Sequence, residues 1–72
     1  MSNEILEFDV VAVVANNPEV PEAEIGDRAT VLMVYRSLGR VEGVELECVL
    51  PNGSNKWQGV FSLSQINLVQ KT

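Results

Sequence analysis

Apolar and polar residues alternate in short stretches along this chain, and turn-forming residues separate the stretches. The clearest stretch spans residues 41–50, where Val44, Leu46, Cys48 and Leu50 alternate with Glu45, Glu47 and Val49. A period of two sends successive side chains to opposite faces of an extended backbone, so this segment predicts a strand with one buried and one mostly polar face. Residues 56–62 repeat the pattern, with Trp57, Gly59 and Phe61 on one side and Lys56, Gln58, Val60 and Ser62 on the other. Two earlier segments are largely apolar on both sides. Residues 7–15 set Phe8, Val10, Ala12 and Val14 against Asp9, Val11 and Val13; residues 28–37 set Val31, Met33 and Tyr35 against Thr30, Leu32, Val34 and Arg36. Their valines are stiff at χ1 and favour the pleated backbone. Residues 66–71 predict a short last strand with Ile66 and Leu68 inward.

The connections are equally legible. Residues 16–26 form a loop, since Asn16-Asn17-Pro18 is turn chemistry and Pro18 and Pro21 bar a helix of useful length. Ser37-Leu38-Gly39-Arg40 reads as a hairpin, with Gly39 free to take a positive φ. Pro51-Asn52-Gly53-Ser54 is a tight turn. Ser62-Leu63-Ser64-Gln65 has the spacing of a capping box and predicts one helical turn. Five short strands cannot bury themselves as a flat open sheet, and closure removes exposed edges. The predicted fold is therefore all-β, a single SH3-like domain over residues 1–72: a small five-stranded barrel with one helical turn before the last strand.

The same residues resemble a known family. Asp9-Val10-Val11-Ala12-Val13-Val14, a loop with Pro18, then Gly26-Asp27-Arg28-Ala29-Thr30-Val31-Leu32-Met33-Val34-Tyr35, look like the small bacterial family called domain of unknown function 4926. Val44-Glu45-Leu46, Asn52-Gly53 and the run from Ser62 to Leu68 occupy the places of that family's later motifs. The resemblance covers most of the chain. Ala29 stands where the family usually has glycine, and residues 38–43 and 54–57 also depart from its pattern. The resemblance implies an SH3-like fold in a bacterial protein and brings no activity, ligand or catalytic residue.

Charge and composition narrow the chemistry. Ten acidic against five basic residues give a net charge of −5. All seven ionisable side chains before Arg28 are acidic: Glu4, Glu7, Asp9, Glu19, Glu22, Glu24 and Asp27. With no histidine, the commonest general acid–base group and a Cys/His zinc site are both missing. Cys48 lies in an apolar register and has no second cysteine to pair with, so it reads as a buried core thiol. Glu45 and Glu47 share a strand face and read as solvated. Scattered basic residues argue against nucleic acid as a partner. Neither a basic leader nor an apolar run of membrane-spanning length is present, and the lone thiol fits a reducing compartment, so a soluble cytoplasmic protein is expected.

No enzyme, metal or cofactor is expected. A small barrel buries only one face of each strand inside, so the second apolar faces of residues 7–15 and 28–37 predict self-association through Val11, Val13, Leu32 and Val34. The expected function is a non-catalytic interaction module forming a homo-oligomer. The alternative is an acidic inhibitor or immunity-type protein that meets a basic protein partner through Glu19, Glu22, Glu24 and Asp27. Trp57, a large ring with one polar atom, joins that candidate partner-binding set, although its phase with Phe61 equally suits core packing.

Overall fold

The computed structural model describes residues 4–72. Five antiparallel strands form one sheet: β1 (Val10–Val13), β2 (Arg28–Ser37), β3 (Arg40–Val49), β4 (Asn55–Phe61) and β5 (Ile66–Gln70), in the order β4-β3-β2-β1-β5. A 3-10 turn over Leu63–Gln65 precedes β5. It carries the predicted cap, in which the Ser62 N–H donates to Gln65 Oε1 at 3.0 Å. The all-β prediction holds, but the predicted barrel does not close. β4 and β5 share no ladder: the 3-10 turn sends the chain across to the far side of β1, leaving each as an edge.

One face of the sheet holds the core. Val11, Val13, Ala29, Val31, Val44, Leu46, Cys48, Trp57, Phe61 and Ile66 converge there from all five strands, joined by Val20 from the loop. Register shifts in β2, β3, β4 and β5 add to the local twist of the sheet. One of them decides a prediction. Val31 pairs with Leu46 and Met33 with Glu45, so Leu32 is an extra residue opposite no partner. The bulge turns Met33 and Tyr35 outward with Glu45 and brings half-buried Val34 against the core beside Val44. A period-two reading cannot contain such a shift, because one inserted residue exchanges the faces beyond it.

The first strand also differs from its prediction. It begins at Val10 because residues 6–9 form a turn in which the Asp9 N–H donates to the Leu6 carbonyl at 3.2 Å and Phe8 adopts φ 73°. Leu50, expected inward, is exposed just past the end of β3.

The segment between β1 and β2 is a fitted lid. Val20 is buried over Gly59, where an added Cβ would collide with Val20 Cγ2. Buried Asn17 donates its Nδ2 to the Val60 carbonyl on β4 at 2.8 Å, and its Oδ1 accepts from the Glu19 N–H at 3.0 Å. The loop thus covers the open side of the core and caps part of an edge strand. Among the described residues no helix is long and apolar enough to cross a membrane.

Candidate functional site

One polar cluster joins the end of the loop to the start of β4. Asp27 stands immediately before β2, and Lys56 and Trp57 are consecutive in β4, where Trp57 is buried in the core and Lys56, the extra residue at a register shift, is half-buried. The Trp57 indole N–H donates to Asp27 Oδ2 at 2.8 Å. The Lys56 ammonium donates to Asp27 Oδ1 at 3.0 Å and to Glu24 Oε1 at 2.7 Å. The Glu24 backbone N–H adds a bond to Asp27 Oδ2 at 3.0 Å. Burial pushes the Asp27 carboxyl up, but the Glu24 N–H, the indole and Lys56 together outweigh it and hold it below the usual carboxylate range. Lys56 is pushed up to about 12, first by Glu24 and then by Asp27.

This arrangement binds the protein to itself. Every acceptor of Asp27 faces a donor of the same chain, and Trp57 is 5% exposed with its ring centroid 5.1 Å from that of Phe61. Trp57 is therefore a core residue with a satisfied polar tip, and its candidacy as a peptide-groove anchor is corrected. Cys48 pairs in register with Trp57. Burial raises its thiol, Asp27 adds to the rise and Lys56 partly opposes it, which leaves a protonated, poorly nucleophilic sulfur. Among the described residues no three cysteine or carboxylate side chains converge as metal ligands.

A second cluster joins the chain ends. Asp9 is buried and its carboxylate accepts from Lys71 Nζ at 2.7 Å, the Thr72 N–H at 2.8 Å and the Leu6 N–H at 2.9 Å. Lys71 also donates to the Glu4 carbonyl. The Lys71 bond, followed by the Leu6 N–H, holds the Asp9 carboxyl far below its ordinary range.

The predicted surface residues separate into used and unused groups. Val11 and Val13 are fully buried in the core, so they are corrected as self-association residues: β1 turns that face inward, and Val10 and Ala12 take the outer one. Leu32 and Val34 are half-buried: Leu32 is the bulged residue itself, and Val34, just beyond it, packs against the core instead of facing outward as predicted. Of the acidic set, Glu24 and Asp27 are engaged with Lys56, while Glu19 and Glu22 are exposed on the loop.

The outer face carries what the periodic reading missed. Met33, Glu45 and Val60 are in register across β2, β3 and β4. Glu45 accepts from the Tyr35 hydroxyl and from Gln58 Nε2, both at 2.7 Å. The Tyr35 bond, then the Gln58 bond, lower the Glu45 carboxyl, and Glu45 in turn raises the Tyr35 phenol. Met33 and Val60 flank this network, each nearly half exposed. No protein-family model matches this chain, and no curated protein or solved structure matches it.

Proposed function

We propose that the protein is a non-catalytic module that works by surface contact and associates with further copies of itself through the outer face of the sheet. The observation that carries this reading is the row Met33–Glu45–Val60. Two exposed apolar side chains flank a carboxylate whose charge is already shared between two hydrogen-bond donors. Tyr35, two residues further along β2, lies beside this row with an exposed ring and donates its hydroxyl to Glu45. Such a patch loses little polar hydration when covered, and a chain this short gains from covering it. Kinship with the 4926 family belongs to this proposal and adds no activity to it.

Light scattering in dilute buffer tests the reading. Particles heavier than one 7.9 kDa chain are expected, and Met33→Glu with Val60→Glu should return them to single chains. A lone 7.9 kDa species for the unaltered protein overturns it. The reading as an inhibitor of a basic partner rests on a narrower basis, the exposed Glu19 and Glu22. Glu19→Gln with Glu22→Gln should then weaken a complex with such a partner and flatten its salt dependence.

A further inference from the structure

The turn between β3 and β4 contains Asn52-Gly53, and every residue from Pro51 to Asn55 is exposed. The backbone nitrogen that follows an asparagine can attack its side-chain amide carbon and close a cyclic imide. A side chain on the following residue crowds that nitrogen, and glycine leaves it open. Among the asparagines of the described residues, Asn52 alone precedes a glycine. Buried Asn17 is bonded to Val60 and Glu19, and the Pro18 nitrogen after it carries no hydrogen. Asn16, Asn55 and Asn67 precede Asn17, Lys56 and Leu68, and Asn55 and Asn67 are also paired in strands with Val49 and Ala12.

The fold adds what the dipeptide lacks. Ser54 donates twice to Asn52 Oδ1, from its backbone N–H at 2.9 Å and from its hydroxyl at 2.7 Å. The bond from the Ser54 N–H closes a ring through the side chain and the Gly53 peptide unit, which folds the Asn52 amide carbon back toward the Gly53 nitrogen. Both donors sit on the oxygen where negative charge develops during attack, and a bond to a charged oxygen is about twice as strong as one to a neutral oxygen. Attack gives up one neutral bond in exchange, from the Gly53 N–H to the Leu50 carbonyl at 2.8 Å. The space beside Gly53 is open, with nothing within 4 Å of an added Cβ.

We propose that Asn52 is a site of spontaneous deamidation, with Ser54 as its positioning residue and water as the only co-reactant. The Gly53 nitrogen gives its proton to hydroxide and bonds to Asn52 Cγ. The Cγ–Nδ2 bond breaks, and the nitrogen takes a proton from water and leaves as ammonia. Water then adds to one of the two imide carbonyls. Opening one way leaves aspartate, and opening the other leaves isoaspartate; each adds one negative charge. Aspartate keeps an oxygen for Ser54. Isoaspartate lengthens the main chain by one carbon inside a turn closed by the Gly53 N–H on the Leu50 carbonyl and the Leu50 N–H on the Ser54 carbonyl, each at 2.8 Å, and so loosens the hairpin. None of these residues belongs to the row Met33–Glu45–Val60, so the chemistry stands or falls apart from self-association.

The test incubates the full chain in mildly alkaline buffer and follows each asparagine by chromatographic peptide mapping with mass spectrometry. Asn52 should convert before any other asparagine, with isoaspartate among the products and a rate that rises with pH. Earlier conversion elsewhere, or none at Asn52, overturns the site. Gly53→Ala should slow the conversion, and an unchanged rate overturns the Gly53 nitrogen as the attacking atom. Ser54→Ala should slow it about fivefold in the folded chain and leave it unchanged in urea, where no fold holds Ser54 on Oδ1. Ser54→Thr, which keeps the hydroxyl, should restore the rate. An equal or faster rate for the folded Ser54→Ala chain, the same slowing in urea, or no rescue by threonine overturns the role of Ser54. The purified isoaspartate form should unfold at lower urea than the aspartate form; equal midpoints overturn the loosened hairpin.

Discussion

The lid between β1 and β2 and the hairpin between β2 and β3 are both connections, and they use their side chains in opposite ways. The lid is long, acidic and proline-punctuated, which gives it the look of a binding loop. Yet it turns Val20, Asn17 and Asp27 inward, and each meets a fitted partner on β4. The hairpin is as short as a hairpin can be and has the look of a plain reversal. It sends Leu38 wholly into solvent on a strained backbone. Length and charge are thus poor guides to which connection holds the fold and which is available for contact. The better guide is whether a side chain's polar and apolar needs are met within the chain.

A single charge separates the two regions most sharply. Val20→Asp buries a carboxylate with no donor prepared for it and should cost about 3 kcal/mol, enough to unfold much of so small a domain. Leu38→Asp puts the same group in water on a backbone that aspartate tolerates, and should shift stability by less than about 0.5 kcal/mol. Urea titration of both variants measures the gap; equal losses would mean that the lid does not seal the core.

Gly59→Ala should cost about 2 kcal/mol, because its Cβ overlaps Val20 Cγ2. Much of that loss should be absent when the change is made in a Val20→Ala background, where the colliding atom is gone; additive losses would contradict the packing. Asn17→Ala removes the bonds to the Val60 carbonyl and the Glu19 N–H, and should cost about 1.5 kcal/mol in the same titration.

Acid should act through the clusters that tie loop and termini to the sheet. Asp9, Asp27 and Glu45 all have lowered carboxyls. A lowered carboxyl contributes stability that is complete above its unfolded value, near 4, and drains away as pH falls through the folded value. The denaturation midpoint should therefore be level from pH 7 to about 5 and fall below pH 4. Asp9→Asn should start lower at pH 7 and show a shallower acid fall. At the other extreme Lys56, pushed up to about 12, contributes fully below about 10.5 and loses its contribution as pH rises through about 12. In the hairpin, Gly39→Ala, at φ 81°, should cost about 1 kcal/mol and leave the lid's contacts unchanged.

Local pattern was enough for the elements. The inward faces of β3 and β4, the capped turn at Ser62 and the positive φ at Gly39 all follow from spacing and from residue type, because each depends on neighbours a few residues away. Closure, the bulge at Leu32, the inward face of β1 and the internal bonding of Asp27 to Trp57 and Lys56 were not legible. A strand apolar on both sides fits the core either way round, so only the strands packed beside it choose. Thirty residues separate Asp27 from Trp57, and no spacing rule joins them. Periodicity in the amino-acid sequence thus determined which segments extend and where they reverse. The tertiary structure alone decided which faces were buried and which carboxylates were already taken, because burial and long-range pairing are properties of the assembled sheet.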